Sequence, residues 1–239
     1  STQNIRNRKQ GKNKNKNHNK HNNSSSDNKK HSKPYINKQT VYNSWPSTFI
    51  VLVVLLIITY NELQFNLPSI TGSISAKKPY KNVQDFYPYY LSEHSHPDDQ
   101  RLHIFGSTLI ILIALIKPEA AITVMIGLLS GYIAFPLFRG VDHGLYEALF
   151  MVSMVIFVAH MHGCKRYILL VAIIGYGFAW VGHFFIEKNK PATFIYPAYS
   201  LICDFKMFGA FYKQLLNTNN WEVLWDKGID FKEALGHGL

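Results

Sequence analysis

Four apolar runs, Leu102–Ile116, Ala120–Phe138, Leu145–Met161 and Tyr167–Ile186, follow one another with gaps of only three to six residues. A helix that crosses a bilayer takes roughly 20 predominantly apolar residues, and lipid offers no partner for a free backbone N–H or C=O. The runs at Ala120, Leu145 and Tyr167 meet that requirement, and the run at Leu102 meets it if its helix starts at Pro97. The pattern predicts an all-α, multi-pass transmembrane helical bundle with about four core spans. A fifth run, Phe49–Tyr60, has only 12 apolar residues before Asn61, Glu62 and Gln64. It is marginal, and is expected to be re-entrant or interfacial, with a true crossing as the alternative.

Charge divides the chain in the same way. Residues 1–46 hold 11 of the 25 Lys and Arg but only one of the 15 Asp and Glu, Asp27, so the tail accounts for the whole net charge of +10. The basic pI therefore belongs to the tail, and it is no sign of a groove for nucleic acid. That tail is Asn/Lys/Ser low complexity and is expected to be disordered, either drawn to anionic headgroups or a solvated spacer. The expected organisation is a tail at 1–46, a hydrophobic segment and linker at 47–82, a membrane domain at 83–216 and an interfacial C-terminal tail at 217–239. The two cysteines, Cys164 and Cys203, have neither CxxC nor zinc spacing and are expected to be buried, small apolar residues.

The stretch "EHSHPDDQRLH" precedes the first strong span. Pro97 suits the first helical position, where a missing N–H costs nothing, and Asp98 and Asp99 complement the positive end of the helix dipole. His96 falls at the N-cap. If four spans follow, residues 61–101, 139–144 and 187–239 share one face, together with Lys77, Lys78, Lys81, Arg101, Arg139, Lys188 and Lys190. The positive-inside rule makes that face cytoplasmic. The same parity brings His94, His103 and His183 to one end.

Ionisable groups at membrane depth are costly and mark functional sites. His94 and His103 are nine apart, about 900° on one continuous helix and so on opposite faces, but the break before Pro97 frees His94 to fold back. His183 and Glu187, four apart, share a helix face. Three imidazoles and a carboxylate without a thiolate suit non-haem Fe(II) better than a structural zinc, with manganese or zinc compatible by ligand type. Membrane di-iron enzymes carry repeated HxxxH and HxxHH boxes, which this chain lacks.

Two ordered blocks, "DFYPYYLSEHSHPDDQRLHIFGSTL" and "GYGFAWVGHFFIEKNKPATFIYPAYSLICDFKMF", resemble the 2-hydroxy fatty acid dioxygenase-like membrane family, over roughly Val83–Leu216. The resemblance implies an Fe(II)-dependent enzyme of the endoplasmic reticulum membrane that shortens 2-hydroxy fatty acids by one carbon, in phytosphingosine degradation. It carries over His94, His103 and His183 as catalytic metal ligands, with Glu187 beside them. The chain departs from the family at His96, commonly Asn, and at Gln100–Arg101, commonly an Arg pair. Arg101 and Lys188 are candidates for steering a substrate carboxylate, and Asp204 for supporting a histidine. The expected partners are thus a lipid substrate and the membrane. The rival is a non-catalytic lipid-binding protein with structural histidines, and the two part on metal binding.

Overall fold

The computed structural model describes residues 38–60 and 68–236, where every regular element is a helix and none is a strand. The elements in chain order are α1 (Lys38–Tyr60), α2 (Val83–Ser92), α3 (Pro97–Ile116), α4 (Pro118–Phe138), α5 (Leu145–Met161), α6 (Lys165–Val181), α7 (Pro197–Thr218), α8 (Trp221–Lys227) and α9 (Phe231–Ala234). Most of the basic tail lies outside the described residues, and with it the expectation of disorder there.

Three helices are long and apolar enough to cross a membrane: Pro97–Ile116, Pro118–Phe138, and Lys165–Glu187, which joins α6 to the turn that follows it. With 17 residues, α5 extends about 25 Å, a little short of a 30 Å hydrocarbon core. Leu169, Ile173 and Phe185 on the α6 segment stand exposed, as side chains facing lipid do. The expected multi-pass all-α bundle is what the chain forms.

Small residues set the packing. A Cβ on Gly127 would lie 2.2 Å from Val155 Cγ2, and one on Gly131 would lie 2.1 Å from Met151 Cγ. The two glycines, four apart on α4, let α5 approach closely, as membrane helices do at such positions. α3 and α6 also pack together, and their connectivity makes them antiparallel. The N-terminus of α3 and the C-terminus of α6 therefore meet at one end of the bundle.

The first apolar segment packs against the bundle. Near its start, Trp45 packs on His162 with ring centroids 4.5 Å apart, and Thr48 Oγ1 is 2.8 Å from His162 Nε2. By Ile70, whose N–H donates to Leu137 O, the chain has reached the opposite end. Helix α1 lies alongside α4; its apolar part, Trp45–Ile57, is shorter than the three membrane-length helices.

A cap of helices covers the end where α3 begins. Asn82 caps α2 by accepting from Asp85 N–H at 2.8 Å, and Val83, Phe86, Tyr87, Tyr90 and Leu91 form its buried face. These residues share a core with Tyr196, Tyr199, Cys203, Met207 and Phe211, four of them on α7. Both cysteines are buried and free, and burial pushes the Cys203 thiol up to about 12.

One ion pair is buried completely. Lys78 Nζ lies 2.5 Å from Glu147 Oε1, with side-chain exposures of 0% and 1%. Removing one partner strands the other charge, so Lys78→Ala should cost about 3–5 kcal/mol, whereas Lys78→Met with Glu147→Leu should be near neutral. Denaturation in detergent of wild type and both variants checks this.

Candidate metal centre

Each of the three imidazoles arrives on a different element. His94 sits just beyond α2, folded back by the break before Pro97, and its N–H donates to Leu91 O. His103 lies on α3, in the second turn. His183 lies in a π-helical turn, Gly182–Glu187, that continues α6; wide turns of this kind often mark functional sites. The turn ends at Lys188 in the left-handed region, φ 57°, and Asn189 N–H returns to His183 O at 3.0 Å.

All three histidines are buried. Their ring centroids are 4.6 Å apart for His94–His103 and for His94–His183, and 5.5 Å apart for His103–His183. One nitrogen from each lies within 4.8 Å of the other two, so the group could hold a metal ion.

Hydrogen bonds fix the rings. His94 Nδ1 donates to Tyr90 O at 2.6 Å, His103 Nδ1 to Asp204 Oδ1 at 2.7 Å, and His183 Nδ1 to Asn189 Oδ1 at 2.7 Å. Each contact uses Nδ1 and leaves Nε2 for the centre, which is how partners outside a metal site orient its imidazole ligands. The Nε2 atoms of His94 and His103 are buried without a hydrogen-bond partner. Burial first, then the imidazoles of His103 and His183, holds His94 well below its ordinary value, so this ring is a neutral ligand.

The supports are themselves held. Tyr90 stacks on His94, centroids 4.0 Å apart, and its hydroxyl donates to Asp204 Oδ1. Burial, with Asp204 adding to it, keeps that phenol well above its ordinary value and therefore a donor. Asn189 Nδ2 donates to Glu93 O at 2.8 Å and Glu93 Oε2 at 3.1 Å. Gln100, where the expected Arg pair is broken, donates to His94 O and accepts from Ile229 N–H, both at 2.8 Å.

The remaining candidates have other contacts. Glu187 accepts from His96 N–H at 2.6 Å and from the Ser95 hydroxyl at 3.3 Å, so its carboxylate holds the 94–96 loop and lies outside the three-imidazole group. Arg101 donates to Trp225 O at 2.8 and 2.5 Å and pairs with Asp98, which fastens α8 to α3. Lys188 is exposed in the loop after the π turn. His96 takes the N-cap, accepting from Asp98 N–H at 3.1 Å.

A cavity of about 510 Å³ opens from this centre into the bundle. His103 and Asp204 line it at one end, and Ile110, Leu128, Val155 and Ala172 line its apolar length. Its α6 wall runs from Lys165 to Trp180, about 22 Å at 1.5 Å per residue, longer than the roughly 15 Å of hydrocarbon in one leaflet, half of a 30 Å core.

The family model described as 2-hydroxy-palmitic acid dioxygenase Mpo1-like matches residues 80–216, more than half of the chain. The chain belongs to the Mpo1-like family. All three histidines, Asp204 and the cavity's α6 wall fall inside the Mpo1-like region. No curated protein and no solved structure matches the chain.

The donor set fits a resident metal on the structure's own terms: three buried imidazoles, each anchored at Nδ1, with the Nε2 atoms of His94 and His103 orphaned. Loss of an anchor at such a site commonly weakens metal affinity about 10- to 100-fold. Asp204→Ala and Asn189→Ala should each do so with the fold retained. Competition of the purified variants against a metal chelator measures the effect, and unchanged affinity in both would contradict the role given to the Nδ1 bonds.

Proposed function

We propose that this protein is an Fe(II)-dependent membrane dioxygenase that converts 2-hydroxy fatty acids to acids one carbon shorter. The observation that carries this reading is the cluster of three imidazoles, one of which, His103, lines the end of an apolar cavity of acyl-chain length. The family's printed description, a dioxygenase of 2-hydroxy-palmitic acid, names a substrate with that division into polar head and long tail.

The overall change is R–CHOH–COOH + O₂ → R–COOH + CO₂ + H₂O. The substrate itself supplies all four electrons that reduce O₂, so the reaction needs neither a reductase nor an oxo-acid co-substrate. Iron held by His94, His103 and His183 would supply open positions for O₂ and for the head of the substrate. Each imidazole is oriented through its Nδ1 by Tyr90 O, Asp204 or Asn189. The cavity walls take the alkyl chain out of water and point its polar end at His103. Water is kept from the other side by the cap, where Tyr90, Tyr199 and Phe211 are all buried.

In this reading the site end faces the cytosol, with Lys81, Arg139, Lys188 and Lys190 at its rim, and the membrane is that of the endoplasmic reticulum. A lipid substrate then reaches the site from within the bilayer, and Asp204 serves as the positioning residue for His103.

The test is oxygen-dependent conversion of 2-hydroxypalmitate by the detergent-purified, iron-loaded protein. Release of CO₂ and the C15 acid by wild type, lost together with iron in His183→Ala, is the expected result. A stable, iron-loaded wild type without turnover would contradict it.

The cavity adds a prediction about chain length. A Cβ on Gly175 would meet only Ile110 Cδ1, at 3.4 Å, so a larger side chain can enter the slot there. Gly175 lies eight residues before His183, about 12 Å along the helix. Gly175→Leu should lower kcat/KM for the C16 substrate about 10- to 100-fold while leaving a C8 substrate nearly unaffected.

A further inference from the structure

Asp99 is the most deeply buried acidic side chain at the site end, with an exposure of 0%, and both carboxylate oxygens lack a hydrogen-bond partner. Nothing at the sequence level set it apart from Asp98, since both read as residues of a helix's first turn. Asp98 keeps that role, half-exposed and paired with Arg101. Asp99 points the other way, with Oδ1 3.5 Å from His103 Nε2.

That separation is informative. Two donors each about 2.1 Å from one ion stand about 3.0 Å apart at right angles and about 3.4 Å apart at the tetrahedral angle. The Asp99 and His103 atoms are spaced as two ligands of one ion are. Neither atom has a hydrogen bond, and the other end of the imidazole is already occupied by Asp204. A carboxylate in so dry a position is stabilised by a cation or by donors, and among the described residues its ion-pair partner is His103 Nε2, 3.5 Å away and beyond hydrogen-bond reach.

The backbone has been cleared for it. An ideal Cβ on Gly182 would lie 1.8 Å from Asp99 Oδ1, so only glycine at the start of the π turn leaves room for the carboxylate where it stands. The same turn carries His183, so the space for Asp99 and the placing of His183 come from one local feature.

We infer that Asp99 is a fourth protein ligand of the metal, adding one carboxylate to the three imidazoles: its Oδ1 is already beside His103 Nε2, and since it stands outside the group whose atoms all lie within 4.8 Å of one another, the ion draws it in on binding. This rests on the metal reading above and deepens it. With three neutral imidazoles the site would hold the full +2 of a divalent ion in an apolar surrounding. The Asp99 carboxylate halves that charge, and the carboxylate of a bound acid cancels the rest. The ligand set thereby favours an anionic substrate over a neutral alcohol or ester of the same chain length.

The test uses Co(II), which reports its ligands by colour, and needs no turnover. The full-length protein in detergent is titrated with Co(II) as wild type, Asp99→Asn, Asp99→Cys and Gly182→Ala, with melting temperature followed in each. Wild type should bind one equivalent. Asp99→Asn and Gly182→Ala should weaken binding at least tenfold while the protein remains folded. Asp99→Cys should add an intense near-ultraviolet thiolate-to-cobalt band, which arises only from direct bonding. A folded Asp99→Cys that binds Co(II) without that band, with Asp99→Asn at wild-type affinity, would overturn the inference and leave the three-imidazole site intact. A wild type that binds no Co(II) or Fe(II) would instead overturn the metal reading itself.

Discussion

The hydrogen bond from His103 Nδ1 to Asp204 Oδ1 joins the two halves of this molecule. His103 belongs to a membrane-length helix and Asp204 to the amphipathic helix of the cap, 101 residues later. Tyr90 reaches the same oxygen from α2, so one carboxylate atom ties the bundle, the cap helix and the element that ends at His94. The orientation of His103 and the placing of Tyr90, whose carbonyl holds His94, both pass through it. Polar groups in so apolar a setting are stable only when each donor and acceptor is matched, and here each imidazole is matched at Nδ1 and left open towards the centre.

The antiparallel pairing of α3 and α6 is the second requirement. It turns two histidines 80 residues apart into neighbours with centroids 5.5 Å apart, because one opens a span and the other closes one. A histidine in mid-span would face either lipid or a packed neighbour. At the end of a span the ring meets the cap's polar groups on one side and the apolar cavity on the other. A lipid with an oxygenated head requires that boundary.

Much of this was legible in the sequence. Run length gave the bundle, parity gave the shared end of His94, His103 and His183, and the Pro97 break explained how His94 escapes the helical phase that would separate it from His103. The parts that were not legible depend on geometry that no spacing rule carries. Glu187 has the spacing of a partner for His183, but a π turn replaces the α-helical turn on which that spacing rests, and the carboxylate bonds the 94–96 loop instead. Asp99 looked like a dipole-complementing residue because Asp98 beside it is one; its inward direction depends on the gap at Gly182. Arg101 and Trp225 meet only through tertiary folding, with the guanidinium 5.3 Å from the indole centroid.

The central claim is that three imidazoles from three elements hold one metal ion, with His103 at the end of the apolar cavity. X-ray absorption at the iron edge of the iron-loaded protein tests it most directly, since imidazole rings leave a distinct outer-shell scattering pattern. The account predicts one iron per chain in a nitrogen and oxygen environment with scattering from three imidazoles and no sulfur. Iron bound through sulfur, or through a single imidazole, would contradict it.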